Sequence, residues 1–186
     1  MDSYKCLSTQ EYSNQEYRLV PIRMEDRHAI MKWRNEQMYH LRQNEPLTTE
    51  KQDNYFVSVV TKLFSEEKPE QLLFSFLKDD VCIGYGGLVH INWQDKNAEI
   101  SFIMKTELEQ SSFQKLWGVY LDLIEQIGFK ELNLHKLYVY AFDLRPHLYK
   151  AIEAKRYFND ARLKDHCLFN GEYVDVVIHS KINGQA

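Results

Sequence analysis

Residues 97–128, "NAEISFIMKTELEQSSFQKLWGVYLDLIEQIG", change their apolar period midway, and that change decides the fold. "NAEISFIM" (Asn97–Met104) alternates as a strand does. Further on, Phe113, Leu116, Trp117, Tyr120, Leu121, Ile124 and Ile127 fall along one helical stripe, with Gly128 near where a C-terminal glycine stops a helix. Between the two lies "EQSSFQKLWG" (Glu109–Gly118), where Ser111 or Ser112 serves as an N-cap. A strand that feeds a helix through small polar residues predicts an α/β unit, and the free amides of such a start also suit an anion.

Working outward, "QLLFSFLKDD" and "VCIGYGGLVHIN" read as strands joined at Asp79-Asp80, and "WQDKN" turns the second into the strand at 97–104. These three form the centre of a mostly antiparallel sheet. Earlier, "YRLVPIR" alternates as a first strand and "MEDRHAIMKWRNEQ" reads as a helix with an acidic opening. "LTTEKQDNYFVSVVTKLF" is a second helix, with Phe56, Val59, Val60, Leu63 and Phe64 on one face and Thr48 or Thr49 as cap. Later come the strand "LHKLYVYAF", the helix "RPHLYKAIEAKRYF" with proline near its first turn, and a hairpin of "ARLKDHCLF" and "YVDVVIHSKI" around Asn170-Gly171. The order is β-α-α-β-β-β-α-β-α-β-β, a mixed, mostly antiparallel central sheet flanked by helices. It is expected as one domain over residues 1–186, with 1–16 a loose lead-in.

The chain has 186 residues, 44% of them hydrophobic and 13% aromatic, enough for one well-filled core. A formal charge of -4 argues against a protein that neutralises phosphates along nucleic acid. Cys6, Cys82 and Cys167 are scattered and unpaired in spacing, as expected of reduced thiols in the cytoplasm. No apolar run approaches the roughly 20 residues that cross a bilayer, so no membrane association is expected. His135 and His147 lack metal-ligand spacing, and adjacent His166 and Cys167 point to opposite strand faces, so neither a metal site nor a Cys-His nucleophile is expected.

Several strings in their order, "KWRNE", "GYGGL", "AEISFIM", "LNLHKLYVYAF" and "ARLKDHCLFNGEYVDVVIHS", resemble the GCN5-related N-acetyltransferase superfamily, in the branch of ribosomal-protein and amino-sugar N-acetyltransferases. The resemblance runs from Tyr17 to Ile182. It implies that the fourth and fifth strands splay and that the pantetheine arm of acetyl-CoA enters the opening, meeting backbone groups around Phe102, Ile103 and Met104. It further implies that the pyrophosphate lies at the start of the following helix, at Gln110, Ser111, Ser112 and Gln114. The family loop runs Gln or Arg, two residues, Gly, one residue, then Gly or Ala, whereas this chain has Gln110, Ser111, Ser112, Phe113, Gln114 and Lys115. Either Phe113 obstructs the anion, or a shifted register lets Ser111 and Ser112 supply amides and hydroxyls while Lys115 screens charge.

The chemistry implied is attack of a neutral amine on an acetyl thioester, with a base, an oxyanion donor and an acid for the thiolate. Glu99, at the head of the fourth strand, is the candidate base; its alternative is an edge carboxylate paired with a lysine. Tyr149 is the candidate acid, against a plain core or surface aromatic. Trp33, Arg34, Asn35 and His90 are candidates for the acceptor, with Trp33 as core and Arg34 as an ion-pair partner the competing reading. The acceptor expected is a small-molecule primary amine, on a nucleotide-linked amino sugar. The alternatives are a protein N-terminus or lysine, and a non-catalytic module that senses acyl-CoA or binds a partner. A homodimer is among the expected assemblies.

Overall fold

Paired left-handed residues set two of the hairpins. In the computed structural model, which describes residues 3–184, Asp79 and Asp80 have φ of 47° and 67°, and Asn170 and Gly171 have 49° and 85°. Two successive positive φ values match the twist of the flanking strands. So β3 (Leu72–Lys78) turns into β4 (Val81–Asn92), and β7 (Phe158–Phe169) into β8 (Glu172–Ile182). The remaining strands are β1 (Tyr12–Asn14), β2 (Tyr17–Pro21), β5 (Asn97–Met104) and β6 (Lys136–Phe142). Together they form one eight-stranded sheet in the order β1-β2-β3-β4-β5-β6-β8-β7. Neighbours are antiparallel except β5 and β6, which are parallel.

The helices are α1 (Arg27–Glu36), α2 (Thr49–Tyr55), α3 (Thr61–Leu63), α4 (Thr106–Glu125) and α5 (Pro146–Glu153). A π-helical turn at Phe56–Val60 joins α2 to α3, and the side chain of Thr48 accepts the Lys51 amide as cap. The mixed sheet with flanking helices is the architecture expected from the strand and helix periods.

Close backbone approach explains the "GYGG" string. A Cβ on Gly87 would stand 1.9 Å from the Leu72 carbonyl oxygen, and one on Gly86 2.0 Å from that of Ser101. The room at Gly86 also admits the Tyr120 hydroxyl of α4, which donates to the Ser101 carbonyl at 2.8 Å. Tyr120 is wholly buried and its ring stacks on Phe102 at 3.9 Å, so α4 is fixed to β5 by packing and by a hydrogen bond at once.

Two expectations fail here. Over its described residues, 3–16, the lead-in is not loose: Tyr4, Leu7 and Tyr12 are buried, β1 pairs with β2, and the Tyr4 hydroxyl both donates to the Leu73 carbonyl and accepts its amide. Removing that hydroxyl leaves the Leu73 amide unsatisfied, while the Leu73 carbonyl keeps the Ile22 amide at 3.0 Å. Tyr4→Phe is accordingly expected to destabilise the fold by about 1–3 kcal/mol, read from the midpoint of a urea melt. Gly128 is not a helix stop either. It lies inside a π-helical extension of α4, Gln126–Glu131, where a Cβ would meet Leu137 Cδ1 at 2.8 Å.

Candidate functional site

β5 and β6 pair at only three positions, Asn97 with Lys136, Ala98 with Leu137 and Glu99 with Tyr138. Beyond these the two strands share no ladder, and a cavity of about 190 Å³ lies between Glu99–Ile103 and Val139–Phe142. Successive β5 residues line it, so it is reached by the strand's backbone edge and not by one face alone. An edge of unpaired N–H and C=O groups is suited to an extended chain that carries its own amides.

A second cavity of about 420 Å³ lies between the sheet and the α1–α2 region, walled by Ile30, Leu47, Tyr55, Phe56, Leu73 and Tyr85. Its charged lining groups are Arg34 and Lys51. Arg34 and Ser101 line both cavities, which places the two spaces side by side. Arg34 Nη1 donates to the Tyr85 hydroxyl at 2.6 Å and Nε to Gln43 Oε1 at 3.0 Å, so the guanidinium is held at that shared wall.

Glu99 lines the first cavity with its side chain 8% exposed. Burial raises its pKa, while Arg42 and His90 act the other way. Arg42 Nη2 donates to Glu99 Oε1, and the same guanidinium lies 4.6 Å over the Tyr140 ring, so one side chain ties β5 to β6. His90 sits at a bulge with φ of 50°, its Nε2 3.9 Å from Glu99 Oε2, and points largely into solvent. A buried carboxylate beside a cavity, with one opposed cation, is an arrangement that can take a proton from an amine.

The other candidates divide. Phe102 and Ile103 line the first cavity; Met104 does not, and its carbonyl accepts from Gln37 Nε2 at 2.8 Å. Trp33 is buried in the core. Asn35 fastens the α1–α2 loop, exchanging hydrogen bonds with both the amide and the carbonyl of Leu47. Tyr149 lies outside the cavity lining; its hydroxyl donates to Asp143 Oδ1 at 2.7 Å, and burial with that carboxylate pushes its pKa well up. A hydroxyl so committed is poorly placed to protonate a thiolate in the cavity.

Gln110, Ser111, Ser112 and Gln114 require the largest correction. α4 begins at Thr106, so these residues lie within the helix and their amides belong to its ladder. Ser111 Oγ turns back toward the Glu107 carbonyl at 3.4 Å, and Lys115 faces Glu16 and the Tyr17 ring. The true first turn carries Glu107 and Glu109, and Thr106 donates to Glu36 Oε2 at 2.6 Å. These carboxylates complement the helix dipole themselves. The splayed edge therefore suits a pantetheine-like arm, but this helix start does not suit a pyrophosphate.

Sequence reasoning missed Arg42 and His40, which lie in or beside a short 3-10 turn with no apolar period, and it read Arg145 only with Asp143 and His147 as a local substitute for a family asparagine that helps hold the cofactor. All three line the first cavity. Among the described residues no group of three or more His, Cys, Asp or Glu could hold a metal ion, and no helix is long and apolar enough to cross a membrane.

Comparison with known proteins agrees with this geometry. A family described as acetyltransferase (GNAT) domain matches residues 19–178. Among solved structures, spermidine N-acetyltransferase from Vibrio cholerae in complex with CoA and spermine superposes with a TM-score of 0.77 at 21% identity, covering 92% of this chain and 98% of that one. The dodecameric form of the Vibrio cholerae enzyme gives 0.75 at 19% identity, covering 92% and 96%. At such identities the likeness speaks for the fold.

Proposed function

Because the chain belongs to the GNAT acetyltransferase family, whose members take acetyl from acetyl-CoA and pass it to an amine, we propose that its acceptor is the primary amine of a nucleotide-linked amino sugar. The observation that carries this choice is the lining of the larger cavity. Its walls are aliphatic and aromatic, and its charged groups, Arg34 and Lys51, are cationic. A polyamine brings several positive charges and needs carboxylates around it, whereas a sugar nucleotide brings flat apolar faces and anionic phosphates. Lys51 is itself paired with Glu45 at the exposed rim, which leaves Arg34 as the inner cation. This lining is what supports an amino-sugar acceptor over a polyamine.

In this reading the thioester lies along the β5 edge and the amine enters past Arg34. The acceptor arrives as an ammonium and must lose two protons in forming an amide. Glu99 takes one, directly or through water, and the other leaves with the thiolate when the C–S bond breaks. Arg34 orients the acceptor, with Phe102 and Ile103 contributing backbone to the donor.

A thiol-release assay with acetyl-CoA tests the acceptor. Nucleotide-linked amino sugars are expected to give kcat/KM about tenfold or more above spermidine, because like charge in the cavity opposes the polycation. The second reading, a polyamine acceptor, rests on the function of the Vibrio cholerae relatives. A preference for spermidine in the same assay would establish it and overturn the first.

A further inference from the structure

The first cavity is locally cationic in a chain of net charge -4: Arg34, Arg42 and Arg145 line it, against Glu99 alone among carboxylates. Arg145 stands just before α5 with its side chain 12% exposed, and Nη1 donates to Glu109 Oε1 at 2.7 Å. Glu109 is 8% exposed in its side chain and is also held by the Tyr39 hydroxyl, with His40 Nε2 at 3.7 Å. Arg145 and Tyr39 thus donate to one buried carboxylate, and His40, whose Nε2 bonds Gln37 Oε1 at 3.3 Å, stands beside them. That donor set is equally fit for a phosphate oxygen.

Two further observations mark the place as more than a structural ion pair. His40 lines the cavity, its side chain is 2% exposed, and its Nδ1 is buried without a hydrogen-bond partner. With Nε2 donating to Gln37 Oε1, that Nδ1 is an acceptor and calls for an N–H or O–H of a ligand lying beside the phosphate, not for a phosphate oxygen. Arg145 also bonds Glu109 through Nη1 alone, which leaves further guanidinium donors in a side chain that lines the cavity. Meanwhile Glu36, Glu107 and Glu109 surround the start of α4, where an incoming anion would meet repulsion.

We infer that Arg145 is the phosphate anchor of the acyl donor in this protein, and that Glu109 is a resident carboxylate with which the donor's diphosphate competes for it. The inference rests on the acyl-CoA reading above. Free protein keeps the anchor neutralised and positioned; the donor binds by drawing Arg145 away from Glu109, or by sharing it at an electrostatic cost. The helix amides that the family's glycine loop would offer take no part.

Calorimetry with CoA and with pantetheine, which has no phosphate, tests this. Glu109→Gln removes the competing charge and keeps a hydrogen-bonding side chain; CoA should bind about tenfold tighter and pantetheine within about twofold of the wild type. Arg145→Gln alone leaves a buried carboxylate unpaired and risks unfolding. The double variant Glu109→Gln/Arg145→Gln is neutral at both positions, and there CoA affinity should fall back to or below the wild-type value. Unchanged or weaker CoA binding in Glu109→Gln would overturn the inference, as would a double variant that binds CoA as tightly as Glu109→Gln. If the wild type binds neither CoA nor pantetheine, the acyl-CoA reading fails with it, which is a distinct result.

Discussion

Replacing Glu99 by Gln is expected to lower kcat by about 10²-fold or more while leaving CoA affinity unchanged, since general-base catalysis contributes about 10²–10⁴. The change is nearly isosteric, and the amide can still accept from Arg42, so the β5–β6 link through Tyr140 persists. Only the ability to take a proton is lost. As the proposed general base Glu99 acts in its carboxylate form, and burial raises its pKa from the ordinary glutamate value. Activity should therefore rise with pH through that raised value. Arg42→Gln removes a cation that holds the pKa down and should move this acidic limb further upward. Steady-state rates over pH 4–9 for the three proteins read both effects. Full turnover in Glu99→Gln would remove Glu99 from the reaction.

The largest loss of stability is expected from Gly87→Ala. The added methyl would lie 1.9 Å from the Leu72 carbonyl oxygen and 3.0 Å from Leu73 Cα, both backbone, so no side chain can turn aside to make room. β3 and β4 must separate at the centre of the sheet, between the residues that pair Leu73 with Gly87. A cost of about 3–5 kcal/mol is expected, a large part of the roughly 5–15 kcal/mol that holds a domain folded. Urea denaturation followed by circular dichroism measures it. A loss below about 1 kcal/mol would show that the strands yield more easily than their packing implies.

Much of this architecture is legible because its signals are local. Asp79-Asp80 and Asn170-Gly171 lie between alternating runs, and both pairs adopt the left-handed turn that such residues favour. The start of α4 was harder to see. "KTELEQ" has no apolar stripe, so the visible period begins at Phe113, and Ser111-Ser112 imitate a cap. The overlooked signal was electrostatic: Glu107 and Glu109 are what a first helical turn favours. The lead-in was misread for a related reason, since it docks by isolated side chains such as Tyr4 rather than by a periodic face.

At the site, alternation placed Glu99 in its strand, but its partner Arg42 lies 57 residues away in sequence. No local pattern records such a pair. Tyr149 was chosen by its place in a helix, and the hydrogen bond to Asp143 that occupies it is a matter of tertiary position. Arg34 was legible only as one of several polar residues near a cleft. Its position at the wall of two cavities follows from α1 packing against β5.

The three-pair ladder between β5 and β6 has a mechanical meaning. Only the edge pair β1–β2 is as short, and this seam has five strands on one side and three on the other. A molecule lying along the open edge acts as a splint across that seam, adding stiffness by mass action as it binds. For an acyl donor bound there as proposed, reactant and brace are the same object, and its departure removes the splint from the seam.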